Sequence, residues 1–192
     1  MPTPNPAALE FLLNRRSRPA KTLTTPVPSM DELRVILTAA ARTPDHGKLE
    51  PWRFIVLQKA ALMRIAKAIS TRGAMMDLDD DKIMKATAQF GNADLVVAVI
   101  ASPKPSEKVP AIEQVYSAGA VCLAMVNAGL AAGWGANWLS GWASHDAEFM
   151  QEMLHITDHE SVAGFIHLGT EKNAPPERPR PDLDAITTWV DA

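Results

Sequence analysis

The chain of 192 residues holds one cysteine, which excludes an internal disulfide framework and makes a reducing compartment the default. An excess of basic residues is missing too. The net charge is −3, so the broad cationic surface of a nucleic-acid binder is not expected. Neither a Walker-type loop nor a Gly-x-Gly-x-x-Gly fingerprint occurs, and Gly133-Trp134-Gly135 is too short to serve as one. Ser117 and Ser140 lack the Gly-x-Ser-x-Gly context of an elbow nucleophile. Cys122 has no adjacent charge and reads as a buried, inert thiol. His155 and His159 have the i, i+4 spacing of a metal-holding pair, but no third cluster completes a site. A polar helix end is expected there, and no metal. The opening, Met1 to Pro6, has neither the cationic n-region nor the apolar h-region of a signal peptide, so a cytoplasmic protein is expected.

Charge is also absent from Val115 to Ala143, a length that could span a bilayer. The stretch is rich in alanine and glycine, however, and it carries Ser117, Asn127, Asn137 and Ser140. It reads as a buried helix of about sixteen residues followed by a buried strand, with no membrane span. Small residues (Ala118, Gly119, Ala120, Ala124, Ala128, Gly129, Ala131, Ala132) let another backbone approach this helix closely. Such a helix belongs at the centre of a domain or at a subunit interface, because exposing it would leave a large apolar patch.

With 47% hydrophobic and 21% charged residues, the composition is that of a soluble globular protein, and residues 1–192 fit a single domain. Asn5-Pro6 supplies an N-cap and a first helical residue, and Leu9, Leu12 and Leu13 follow as an apolar stripe. Ser29 to Glu32 spells a capping box, with Leu33, Ile36, Leu37 and Ala40 at helical spacing behind it. Trp52–Leu57, Leu95–Ile100, Trp134–Ser140 and Val162–Leu168 read as strands. Leu62, Ile65, Ala66 and Ile69 mark another helix, and a short one is expected from Ser144 to about Leu154. Residues 71–92, with acids at 77 and 79–81, read as a mobile segment with some helix after Asp80. From about residue 173 a proline-rich tail should run extended. The order of elements predicts an α+β fold.

Arg15-Arg16-Ser17 ends the first helix. Between Phe11 and Met30 there are four basic residues and no acid, inside an acidic chain. Two guanidinium forks beside a hydroxyl match the oxygens of a phosphate. The same residues also suit a solvated helix end that complements the helix dipole. Three further polar sets lie at element ends: Arg42-Thr43-Pro44-Asp45-His46 with Glu50-Pro51-Trp52, then Trp134 to Gly141, then Gly164 to Thr170. Together they offer phosphate donors, stacking surfaces and amide donors, but no nucleophile and no acid–base dyad. A cofactor that performs its own chemistry suits such a site.

The order of these motifs, from about Leu9 to Thr170, resembles the flavin-dependent nitroreductase family, within it the compact branch of small bacterial NAD(P)H nitroreductases. The resemblance rests on Asn14 to Ser17, Arg42 to His46, Pro51-Trp52, the small-residue helix ending at Gly133, Trp138 to Gly141 and Gly164 to Thr170. It implies a nitroreductase-like fold with a central, mostly antiparallel sheet of four to five strands flanked by helices. It also implies a homodimer with FMN in a cleft between the subunits. Arg15, Arg16 and Ser17 would bind the FMN phosphate and ribityl end. Arg42 and His46 would contact the flavin, some contacts crossing the interface, and Trp138, Leu139 and Ser140 would line it. Ala128, Gly129, Leu130, Ala131, Ala132 and Gly133 would border the nicotinamide of NADH or NADPH. No residue is given a catalytic role, because the hydride chemistry belongs to flavin N5. The implied reaction is a ping-pong reduction of nitroaromatics, quinones or similar conjugated electrophiles. A dehydrogenase of the same fold, a non-catalytic flavin-binding protein and a plain structural module remain as other readings. Two positions depart from the family's pattern: Glu50, where much of it has glutamine, and Leu139, where close relatives carry a basic residue.

Overall fold

A computed structural model describes residues 3–191. Met1 and Pro2, part of the segment read above for a leader, lie outside the described residues. The architecture is one sheet covered on both faces by helices. In chain order the elements are α1 (Pro6–Asn14), β1 (Leu23–Thr24), α2 (Met30–Ala40), β2 (Trp52–Gln58), α3 (Lys59–Met75), α4 (Asp80–Gly91) and β3 (Leu95–Ala101). They continue with α5 (Ala111–Ala131), β4 (Gly135–Leu139), α6 (Trp142–His145), α7 (Ala147–Leu154), β5 (Ser161–Glu171) and α8 (Leu183–Ile186). Every strand pairing is antiparallel. β5 is the hub: it pairs β1, β3 and β4, and β2 closes the far edge against β3. The predicted α+β sheet of four to five strands is the one found.

The apolar run Leu95–Ala101 is buried on both faces, as its lack of alternation predicts. Val96, Ala98, Ile100 and Phe165 pack against α3, α4 and α7, and Phe90 meets Phe165 edge-on at 4.9 Å. Val97, Val99, Ile166 and Leu168 pack on the opposite face, against α2 and α5. Ser29 caps α2 through a full capping box with Glu32.

Several boundaries differ from the sequence expectation for local reasons. The 71–92 region is helical on both sides of a tight turn: α3 runs on to Met75, and Asp79 caps α4 by accepting the Asp81 N–H. Gly73 lets α3 approach α4, because a Cβ there would press into Ile83. The short helix splits at Asp146, whose carboxylate accepts the Phe149 N–H to start α7. His155 closes α7 in a left-handed conformation, and His159 lies in the following turn, so the two share no helix face.

α5 is longer than expected, at 21 residues, and only one side of it is buried. It is long and apolar enough to cross a membrane, but Val121, Cys122, Met125 and Val126 pack on the sheet. Its other side exposes Ile112, Val115, Tyr116 and Leu123 at helical spacing.

Candidate functional site

α1 stops where the Arg15 N–H closes on the Phe11 carbonyl at 2.7 Å and the chain turns extended. That turn sends both arginine side chains inward. Arg15 Nη2 donates to Ser17 Oγ at 2.9 Å, and Arg16 Nη1 reaches the Ser17 carbonyl at 3.5 Å. The Nε atoms of Arg15 and Arg16 are buried with no partner among the described residues. Burial lowers the pKa of Arg15, and the positive charges of Arg180 and Arg16 lower it further. The two buried Nε donors thus lack an acceptor among the described residues, and the carboxylates nearby are engaged elsewhere, Glu171 with Arg18 and Glu177 with Arg180. A phosphate group has the charge and the acceptors to match such donors.

Arg180, which the sequence reading passed over, is near enough to lower the Arg15 pKa, while its own Nη2 pairs with Glu177 at 2.8 Å. It stands between Pro179 and Pro181 in a tail expected only to be extended. The Lys172 N–H donates to the Thr22 carbonyl at 3.1 Å, which ties the start of this tail to the N-terminal segment. The available signal was a second basic pair, Arg178 and Arg180, in a stretch whose prolines restrict where it can point.

The hollow beside the clamp has a volume of about 350 Å³ and is walled by Phe11, Asn14, Arg15, Arg16, Arg18, Leu130, Gly133, Trp134 and Glu171. The end of α5 thus lies against Arg15 and Arg16. Of the predicted nicotinamide border, Gly129 faces inward, where a Cβ would crowd Leu168 and Ala136, while Ala131, Ala132 and Gly133 are exposed. The next residue in the clamp segment, Arg18, is structural: its N–H donates to the Ala136 carbonyl, its carbonyl accepts from Asn137 Nδ2, and its guanidinium pairs with Glu171.

Pinned in this way, the chain passes through a single 3-10 turn, Ala20–Thr22, into the wall of a second hollow. This cleft measures about 420 Å³ and is lined by Pro19, Lys21, Lys85, Gln89, Asn137 and Leu139, among others. Lys21 and Lys85 are the cations of its lining, and Lys85 is ion-paired with Asp81. Leu139 lines this cleft with its side chain, so the apolar departure from the family's pattern sits directly in the wall. Trp138 points to the other face of the sheet, as strand alternation requires. It lies on Gly164, where any Cβ would overlap the indole. Ser140 is exposed just past the strand.

Arg42 and His46 sit elsewhere. Asp45 Oδ1 accepts the Leu49 N–H at 2.6 Å, coiling a loop in which Gly47, Lys48 and Glu50 all have positive φ. Two of these are not glycine, which is strained backbone of the kind held at functional loops. Ser117 of α5 locks the loop down: its hydroxyl donates to the Pro44 carbonyl and accepts from Trp52 Nε1. His46 Nδ1 lies 2.7 Å from Glu113 in the first turn of α5. Glu50, the second departure, is exposed, as are Arg42 and His46. The His46 loop thus contacts one end of α5 at Glu113, and the Arg15–Ser17 clamp contacts the other at Leu130. At 1.5 Å per residue those two points are about 25 Å apart along the helix. The structure therefore brings Arg15, Arg16 and Ser17 together, with Arg180 near enough to act on Arg15, places Leu139 in the adjoining cleft, and leaves Arg42 and His46 at a distance within one chain.

A cluster away from these hollows clamps the sheet. Arg53 forks onto Glu160 at 2.7 and 2.8 Å. This bond pulls the Glu160 carboxyl down to about 2, despite burial acting the other way.

Comparison with known proteins supplies the family. The nitroreductase family model matches residues 12–170. A protein of Escherichia coli K12 named "Putative NAD(P)H nitroreductase YdjA" is 38% identical over 164 residues, covering 85% of this chain and 87% of its own length. Among solved structures, a nitroreductase-like family protein from Bacillus cereus superposes with a TM-score of 0.80 at 19% identity, over 100% of both chains. A nitroreductase with bound FMN from Bacteroides fragilis has a TM-score of 0.74 at 20% identity, covering 95% of this chain and 98% of its own. At such identities the superpositions establish the nitroreductase-like fold, while the family model and the closer sequence match assign the kinship: this chain belongs to the nitroreductase family.

Proposed function

We propose that this protein is an FMN-dependent NAD(P)H oxidoreductase that works as a homodimer. The observation that carries the reading is the clamp: Arg15 and Arg16 lie side by side at Ser17, and their two buried Nε donors have no partner among the described residues. A phosphate fits this donor set in charge and in hydrogen bonds. The relative named as an NAD(P)H nitroreductase and the neighbour with bound FMN support the same cofactors.

The placement of Arg42 and His46 supports a site shared by two chains. One flavin cannot bridge about 25 Å between the clamp and His46 within a single chain. Antiparallel contact of α5 with the α5 of a second copy would bring His46 of each chain to the clamp end of the other. The exposed stripe Ile112, Val115, Tyr116 and Leu123 suits that contact, and Gly119 in its middle has open space where a Cβ would be. Leu9, Leu12 and Leu13 of α1 are uncovered as well, and a second copy can bury them.

Bound FMN would accept and donate hydride. The residues of this chain would hold it and shape access to it. Arg15, Arg16, Ser17 and Arg180 would anchor the phosphate tail. Asn137 and Leu139 would wall the cleft against water on one side. Lys21 would lend the cleft positive charge, since Lys85 is already paired with Asp81, and that favours added negative charge there. Leu130 to Gly133 would border the open side, where a nicotinamide or a conjugated electrophile such as a nitroaromatic or a quinone can enter in turn. No acid–base dyad lines either hollow, and none is needed for hydride transfer between bound partners.

The test is direct. Purified protein should be yellow or turn yellow with FMN, gain thermal stability from it, bleach with NADPH or NADH, and recover colour with a quinone. A colourless protein that gains neither absorbance nor stability from FMN refutes the reading.

A further inference from the structure

His167, in the middle of β5, has no part in the account above. It is only 2% exposed, and its Nε2 atom has no partner among the described residues. A buried polar nitrogen left unpaired is costly, and native structures satisfy such atoms with protein or water. Its surroundings are defined on every side. The ring packs 6.4 Å from Phe90 of α4, Val96 flanks it on β3, and Asn137 flanks it on β4. Beyond it lies a small cavity lined by Ala20, Leu23, Thr24, Ala93, Asp94 and His167, with Leu95 and Leu168 completing the wall.

The size of that cavity decides what it can hold. Its volume is about 10 Å³. This is the lower limit for one water molecule and far below what any organic ligand needs. A water also requires two to four polar partners. Thr24 and Asp94 line the same space as His167 and can supply them. The competing demand on Asp94 is Lys59, whose Nζ lies 3.2 Å from Oδ1 and leaves carboxylate lone pairs free. Burial keeps the imidazole neutral, so one ring nitrogen donates and the other accepts, and water complements either case.

We propose that His167, Thr24 and Asp94 form an internal hydration site that holds one water molecule. Its place in the fold gives it a role. The cavity shares Ala20 and Ala93 with the 420 Å³ cleft lined by Leu139, so the water lies directly behind the cleft wall. It bridges β5 to the Ala20–Thr24 segment, which carries Lys21 and follows the arginine clamp. His167 is thus a positioning residue for that wall. The inference stands on the cavity and the unpaired nitrogen, whether or not the cleft takes a flavin.

A crystal structure of the full-length protein at a resolution that shows ordered water tests it. One water within hydrogen-bond distance of His167 Nε2 is expected, and an empty cavity overturns the proposal. In solution, a long-lived water should give magnetisation transfer to the Leu95 and Leu168 amides, and no transfer would contradict it. In His167→Leu the water should be lost, and amide exchange of Leu23 and Thr24 should quicken about fivefold, the worth of one hydrogen bond. Retention of the same water in His167→Leu would show that the imidazole is not its ligand.

Discussion

The neutral, buried His167 makes a quantitative prediction about acid stability. Burial lowers its pKa from the ordinary 6.5 to about 4 in the folded chain. In the unfolded chain the imidazole returns to about 6.5. Between those values the unfolded state binds more protons, so stability falls as the pH is lowered. The contribution is fully present above pH 6.5, is lost progressively below it, and is gone by about pH 4. A tenfold difference in proton affinity between the two states is worth about 1.4 kcal/mol, so the whole window amounts to about 3 kcal/mol. Glu160 acts in a separate, lower window. Its carboxyl, held at about 2 by Arg53, contributes stability above its unfolded value, lost as the pH falls toward 2. Arg53 is partly exposed, which discounts that contribution to about 1–2 kcal/mol. Urea unfolding at fixed protein concentration, repeated from pH 7 to pH 4.5, reads chiefly the upper window, and the difference between wild type and His167→Leu cancels the onset of the Glu160 window. The wild type should lose about 2–3 kcal/mol across it, and His167→Leu should lose less than half as much. Parallel pH curves for the two proteins would refute the argument that His167 is buried and neutral.

Other perturbations address the site and the core. Arg16→Ala removes a charge-assisted donor set, so FMN affinity should fall about 10–100-fold in a fluorescence titration, with the fold intact by circular dichroism. Gly164→Ala would drive a methyl into the Trp138 indole, so it should cost about 1–3 kcal/mol in urea unfolding and shift the tryptophan emission. Leu123→Glu places a charge on the bare stripe of α5, so the protein should elute as a monomer and lose flavin together with its partner.

Much of the fold could be read from local chemistry. The Ser29–Glu32 capping box, the unbroken apolar run of β3 and the small-residue pattern of α5 each specify one conformation, and each occurs. The parts that were harder to read depend on tertiary contacts. The acids near residue 79 read as a mobile segment, yet Asp79 is an N-cap and Asp80 and Asp81 complement the start of α4. Packing of Gly73 on Ile83 then holds α3 and α4 together, and no local pattern announces that contact. Within the candidate site, adjacent arginines beside a serine were legible as a set of phosphate-matching donors, and the structure places their side chains together. The influence of Arg180 on Arg15 was not legible, because it arrives from over 160 positions away in the sequence, through the path of the tail. Trp138 and Leu139 are adjacent in sequence yet face opposite sides of the sheet, so a motif read as one unit divides between a cleft wall and a prop on Gly164.

The central claim is that one flavin site is built from the Arg15–Arg16–Ser17 end of one chain and the Arg42–His46 loop of another. Subunit mixing tests it most directly. Arg16→Ala and the double variant Arg42→Ala/His46→Ala should each bind FMN poorly alone. A purified heterodimer of the two has one site with all contacts intact and one lacking both sets. It should bind a single FMN per dimer with wild-type affinity. If each site were built within one chain, both sites of the heterodimer would remain damaged, and failure to recover any tight FMN binding would contradict the account.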